Sequence, residues 1–210
     1  DKAYEFVSMY RRHFTLPPQA QGRRVFVDFE AVMTASTVWI NGVRLGEYRG
    51  GYTPFSFELT GHLVFGGDNV LAVEVDSTER PDIPPFGHQI DYLTFGGIYR
   101  EVSLRIVPQT FIDNVFVRPT EVLTLHPRVE VSCDLQRPAG SAGAYTLHAE
   151  LLDGDRTVAR AVSATGSPAA TAGSVTLERF GAVKLWDLEA PHLYTVRLRL
   201  MRGTQLIDQT

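Results

Sequence analysis

Cysteine is almost missing from this chain of 210 residues, and the single copy, Cys133, cannot form an intrachain disulfide. It alternates with Val129, Val131 and Leu135, so a buried, unreactive thiol is expected. No apolar run approaches the ~20 residues that a membrane-crossing helix needs, so no membrane partner is expected. An excess of positive charge is also absent. Twenty Lys and Arg against 24 Asp and Glu give −4, and the basic residues are scattered, so no nucleic-acid partner is expected. None of the six histidines is spaced for a transition metal with another His or Cys. Asp68-Asn69 and Asp76 lack the EF-hand spacing for Ca²⁺ and read as turn residues. There is no Gly-x-Ser-x-Gly elbow and no convincing Ser/His/Asp set. Helix periodicity is absent too.

Period-two alternation is present instead, and it points to antiparallel sheets with one wet face. A first strand over 8–16 is closed by Pro17-Pro18. Residues 23–31 alternate Val25, Val27 and Phe29 with Phe26, Asp28 and Glu30. Residues 36–40 and 43–47 flank Asn41-Gly42, the pair best suited to the positive φ angles of a type I′ hairpin. Within that hairpin Trp39 is expected in the core. Residues 55–60 form a short extended piece, 66–69 a turn, and 70–77 place Leu71, Val73 and Val75 on one face. After Gly96-Gly97, which read as backbone geometry, a strand is expected with Ile98, Arg100, Val102, Leu104 and Ile106 on one side. Arg100 on such a face needs a carboxylate partner, for instance Asp91.

Residues 78–96 interrupt this rhythm. They hold Pro81, Pro84, Pro85 and Gly87, then His88, Asp91, Tyr92 and Phe95. Long irregular loops in compact domains are often functional, so this is the place to look for a ligand site.

Pro108 marks a boundary, giving domains of 1–107 and 108–210. The second half reads as seven short strands over 111–118, 128–136, 144–152, 156–164, 174–180, 182–186 and 194–201. That is the signature of an immunoglobulin-like sandwich without the disulfide. Gln205-Leu206-Ile207-Asp208 looks like a strand left unfinished, and the chain reads as cut at both ends.

Three pieces in order, Val38-Trp39-Ile40-Asn41-Gly42, Gly50-Gly51-Tyr52-Thr53-Pro54-Phe55 and Phe95-Gly96-Gly97-Ile98-Tyr99-Arg100, resemble the N-terminal sugar-binding domain of family 2 glycoside hydrolases, the β-galactosidases and β-glucuronidases. The resemblance starts at Tyr10-Arg11-Arg12-His13-Phe14. It continues to Trp186, Pro191, Leu193 and Tyr194, which resemble the end of the family's second domain. It implies an all-β protein, a jelly roll of the galactose-binding type followed by an immunoglobulin-like domain. Trp186 is then expected to be buried near Tyr194.

The resemblance also implies a retaining glycosidase as parent, β-galactosidase first, acting on a carbohydrate substrate through a C-terminal catalytic barrel absent from this chain. Retaining enzymes use two carboxyl groups about 5–5.5 Å apart. In this family both are barrel glutamates, the first following an asparagine, and this chain has no Asn-Glu pair. It is therefore expected to be inactive alone, with no catalytic residue. Asp91 is the one substrate-binding candidate that the resemblance supplies. A carboxylate there accepts from sugar hydroxyls, and a sodium or other cation near it is possible in the full-length enzyme; otherwise no cofactor and no metal ligand is expected. A homo-oligomer is possible. The compartment stays open, with the cytoplasm favoured. The alternatives are a free-standing carbohydrate-binding module, a structural pair that mediates assembly, or a fragment of a β-glucuronidase or β-mannosidase.

Overall fold

The computed structural model describes residues 6–84, 94–141, 143–167 and 169–210. The chain divides into two compact units, Asp1–Ile106 and Val107–Thr210. Each is built of antiparallel strands.

The first unit runs through β1 (Val7–Phe14), β2 (Arg24–Phe29), β3 (Val32–Met33), β4 (Ala35–Ile40), β5 (Val43–Arg49), β6 (Phe55–Glu58), β7 (Asn69–Asp76), β8 (Gly97–Ile98) and β9 (Val102–Val107). Its four-stranded sheet has the order β1-β7-β4-β5, and its three-stranded sheet the order β6-β2-β9. The alternation in the sequence supplies the core directly. Val25, Val27 and Phe29 of β2 face Leu71, Val73 and Val75 of β7, with Val38 and Ile40 of β4 beside them. Each apolar side chain buried in this way contributes on the order of 1.5–3 kcal/mol.

The β4–β5 connection is the expected tight hairpin. Asn41 has φ 50° and Gly42 φ 82°, the two positive values that a type I′ turn requires. Asn41 does a second job. Its amide nitrogen donates to the His62 carbonyl at 2.8 Å and to Asn69 Oδ1 at 2.9 Å, while its oxygen accepts from the Val70 amide at 2.8 Å. Asn69 is fully buried, and its side chain bonds the Val64 amide and carbonyl. At Asn41 and Asn69 the rim of this core is therefore polar and hydrogen-bonded, whereas the buried Ser36 hydroxyl finds no partner.

Two expectations fail here, one through strand parity and one through a break in a strand. Trp39 lies between Val38 and Ile40, both buried, so it points to the opposite face and is only half-buried. Arg100 is exposed, because the expected continuous strand breaks at residues 99–101 into β8 and β9. Its guanidinium sits 5.7 Å from the Tyr99 ring, a cation–π contact, rather than on an apolar face.

The second unit contains β10 (Phe111–Thr120), β11 (Arg128–Gln136), β12 (Thr146–Asp153), β13 (Arg156–Ala164), β14 (Ala172–Leu177), β15 (Thr195–Arg202) and β16 (Gln205–Gln209). Sheets β10-β11-β14 and β13-β12-β15-β16 form an immunoglobulin-like sandwich. Val129, Val131, Cys133 and Leu135 from one sheet meet Leu147, Ala149, Leu151, Leu198 and Leu200 from the other. Burial pushes the Cys133 thiol up to about 11, so it stays protonated and inert near neutrality.

Here too the sequence misleads locally. Residues 182–186 form no strand, while Gln205–Gln209 pairs with β15 and is a full member of the sheet. Trp186 is 57 % exposed rather than buried, and Leu185, Leu188 and Leu193 are exposed with it. The segment is tied down by polar contacts instead. Lys184 Nζ lies 3.0 Å from Asp153 Oδ2, His192 Nε2 lies 3.0 Å from Asp153 Oδ1, and the Tyr194 hydroxyl accepts from the Lys184 amide.

Candidate functional site

The resemblance puts its one site residue, Asp91, in the 78–96 loop. Asp91 lies outside the described residues, and so do Tyr92 and His88. The two ends of that loop are described. One end, with the strand end before it, shapes a cleft of about 300 Å³ lined by Arg49, Gly50, Gly51, Tyr52, Thr53, Asp82, Ile83 and Pro84.

The end of β5 and the glycine pair after it make one wall. Tyr48, Phe55 and Phe29 form a ring stack, with centroids 4.1 and 4.7 Å apart along the series, which anchors the aromatic-Pro edge to the core. Gly51 is tucked against the Met33 thioether, where a Cβ would collide. The Tyr99 hydroxyl donates to the Gly51 carbonyl at 2.5 Å, and Tyr52 meets the Tyr99 ring edge-on at 6.4 Å. Gly51 is therefore a close-approach glycine, and the carbonyl it presents is held by Tyr99. Residues after the short β8 thus brace the residues after β5.

Charge lines the other wall. Arg49 bonds Glu47 at 2.9 Å and Asp82 at 3.2 Å, and Asp82 also accepts from Arg80 at 3.2 Å. Arg80 reaches on to Asp76 at 3.5 Å. The Arg80 hydrogen bond holds the Asp82 carboxyl below its ordinary range against the opposing effect of burial, with Arg49 adding to it. Asp76 is held low by its hydrogen bonds from Thr78, side chain first. Depressed carboxylates are permanent acceptors near neutrality and are poor proton donors. The cleft can therefore bind hydroxyls through Arg49, Asp82 and the Tyr52 ring, and none of its described carboxylates is poised as a general acid.

Arg49 and Asp82 escaped the sequence reading. Asp82 sits in the proline-rich loop already singled out, but nothing in the sequence links it to Arg49 across 33 positions. Among the described residues, no group of three His, Cys, Asp or Glu is placed to hold a metal ion. Asp82 is a poor cation ligand as it stands, because two guanidinium groups occupy its oxygens. The other charged features are ordinary ion pairs. Arg105 bonds Asp28 at 2.8 Å, and Arg24 bonds Glu58 at 2.7 Å on the outer face of the small sheet.

Comparison with known proteins covers the whole of this architecture. The family model described as "Glycosyl hydrolases family 2, sugar binding domain" matches residues 2–108, and "Glycosyl hydrolases family 2" matches residues 110–210. A β-galactosidase of Thermoanaerobacter pseudethanolicus is 33 % identical over 209 residues, covering 99 % of this chain and 28 % of that protein. A β-glucuronidase of Formosa agariphila is 30 % identical over 225 aligned residues, covering 99 % of this chain and 23 % of its own length. Among solved structures, a glycosyl hydrolase family 2 member from Bacteroides cellulosilyticus superimposes with a TM-score of 0.87 at 26 % identity, over 98 % of this chain and 28 % of that one. The chain thus spans less than a third of the length of these relatives.

Proposed function

Because the chain belongs to glycosyl hydrolase family 2 through both of its sandwiches, we propose that it is the non-catalytic N-terminal portion of a retaining β-glycosidase. β-Galactosidase is the first choice. The observation that carries this is the tandem match: nearly the whole chain aligns with 28 % of a β-galactosidase. In this reading the parent hydrolyses terminal β-glycosides with retention, using a pair of carboxylic residues outside this chain. The first sandwich contributes binding groups to one wall of the substrate pocket.

Asp91 is the proposed contact to substrate hydroxyls, as a charged acceptor rather than as acid, base or nucleophile. Asp82, of the same loop, lines a cleft with Arg49 and Tyr52. Binding energy of this kind speeds the reaction only where it is stronger in the transition state than in the ground state. No cofactor is assigned, and no step is routed through a cation, since Asp82 of the same loop is already paired with Arg49 and Arg80.

The test is kinetic. The 210-residue chain alone should show no turnover of an aryl β-galactoside. In the complete enzyme, Asp91→Asn should lower kcat/KM by an amount equal to about 1.5–3 kcal/mol, the scale of a hydrogen bond to a charged group. Melting of the 210-residue chain should be unaffected. Equal kinetics in the two enzymes would remove Asp91 from the pocket. Tight sugar binding by this chain alone would favour a free-standing binding module.

A further inference from the structure

The outward face of the sheet β13-β12-β15-β16 gathers one carboxylate and three guanidinium groups. Glu150 of β12 pairs opposite Arg160 on β13 and opposite Arg197 on β15, and Arg199 follows two residues along β15. Opposite residues share a face, and so do residues i and i+2 of a strand. Sheet pairing alone therefore brings the four side chains together, while Leu147, Ala149 and Leu151 of β12 fill the core behind them. Arg160 Nε meets Glu150 Oε1 at 2.8 Å, and the Nη1 atoms of Arg197 and Arg199 each meet Oε2 at 3.2 Å.

The carboxylate lies beneath and the guanidinium groups lie on top. The Glu150 side chain is 10 % exposed, against 71, 40 and 34 % for Arg160, Arg197 and Arg199. Three positive charges against one negative leave two uncompensated. His148 and Thr146, the next outward residues of β12, and their partners across the sheet bring no second carboxylate. Arg199 also turns its Nε to Gln209 Oε1 at 2.8 Å. Beyond these contacts the three side chains make none among the described residues. Both Nη groups of Arg160, and the Nη2 groups of Arg197 and Arg199, keep N–H donors aimed outward. In a chain of net charge −4 this is a local reversal of sign. Like charges held so close repel, and an anion that accepts from several of them relieves the repulsion. A carboxylate is matched by one guanidinium fork, whereas a phosphate group has oxygens for several forks and enough charge to balance two.

We propose that Arg160, Arg197 and Arg199 form a binding site for a phosphate group, as the free ion or as a monoester. Glu150 is a positioning residue in it: it holds the three forks in register from below. The site lies wholly in the second sandwich. It goes beyond the glycosidase reading and is independent of it, because its readouts are binding and melting rather than turnover.

The experiment titrates inorganic phosphate into the 210-residue chain near neutral pH, with sodium chloride at the same ionic strength as the reference. At about ten times its dissociation constant, phosphate should raise the melting temperature by at least about 3 °C over chloride. Arg160→Gln and Arg199→Gln should each weaken phosphate binding about 10-fold or more, the scale of a hydrogen bond between charged groups. Glu150→Gln keeps an acceptor for the forks and removes the opposing charge. It should melt lower in chloride yet bind phosphate at least as tightly as the native chain, a pairing that an ordinary ion-pair network does not produce. Galactose 6-phosphate distinguishes the sources: tighter binding than the free ion supports a monoester as the ligand, and weaker binding supports inorganic phosphate. Melting that follows ionic strength alone, with phosphate and chloride alike, would overturn the proposal. So would phosphate binding that is unchanged in both arginine variants.

Discussion

The two sandwiches hold themselves together in different ways. In the second, the two sheets close over a continuous apolar layer, with Leu147, Leu198 and Leu200 essentially inaccessible. In the first, the apolar layer is interrupted. The hydrogen-bonded Asn69 is built into it, and one side is left open between β1 and β9. The first also carries the glycine-braced cleft beside the loop of Asp91. A fully closed core serves a scaffold; hydrogen-bonded polar rims, by contrast, specify where loops and edges lie, at the risk of large penalties when one partner is lost.

The strongest way to break this comparison is a cavity in the closed core. Leu147→Ala should cost about 3–4 kcal/mol, because Leu147 is fully buried and its neighbours can relax only partly. Chemical denaturation followed by a probe in the second sandwich checks it. A loss under about 1 kcal/mol would mean that this core is looser than its burial implies.

The next effect belongs to the first sandwich. Asn69→Ala removes a side chain that bonds Val64, Gly67 and Asn41, leaving buried donors and acceptors unmatched. The expected cost is about 2–3 kcal/mol even though little apolar area is lost. Asn69→Leu, which restores volume without hydrogen bonds, should fail to rescue it. Rescue would show that the polar rim is packing rather than bonding.

A third effect is a response to pH. Glu150 of the second sandwich is only 8 % exposed and meets Arg160 at 2.8 Å and Arg197 and Arg199 at 3.2 Å. The Arg160 hydrogen bond holds its carboxyl below the ordinary 4.5, against burial, with Arg199 and Arg197 adding to it. A depressed folded-state value means that the stabilisation is complete above the unfolded value. It is then lost as pH falls through the folded one. Melting temperature should therefore drop below about pH 4.5, and Glu150→Gln should flatten that drop. An unchanged acid limb in the variant would assign the sensitivity to other carboxylates.

The smallest effect is at Trp186. With more than half its surface in water, Trp186→Ala should change the stability of the 210-residue chain by no more than about 0.5 kcal/mol. Its fluorescence should resemble solvated indole once Trp39 is replaced. A cost of several kcal/mol would contradict the exposed position.

Alternation of side chains by itself determined most of this protein. It fixed the β class, the core faces of β2, β7, β11 and β12, and the buried thiol of Cys133, because side-chain direction along a strand repeats every two residues without reference to anything distant. Asn41-Gly42 fixed its turn for the same local reason, two positive φ angles. What depends on distant contacts was decided only in three dimensions. The break at residues 99–101 freed Arg100, the pairing of β16 with β15 completed a sheet, and the polar ties from Asp153 held the Trp186 segment in water. The Arg49–Asp82 pair and the arginine cluster on Glu150 are of the same kind. Each joins residues far apart in the chain, and the free energy of such a contact resides in the packing of both partners rather than in either stretch of sequence.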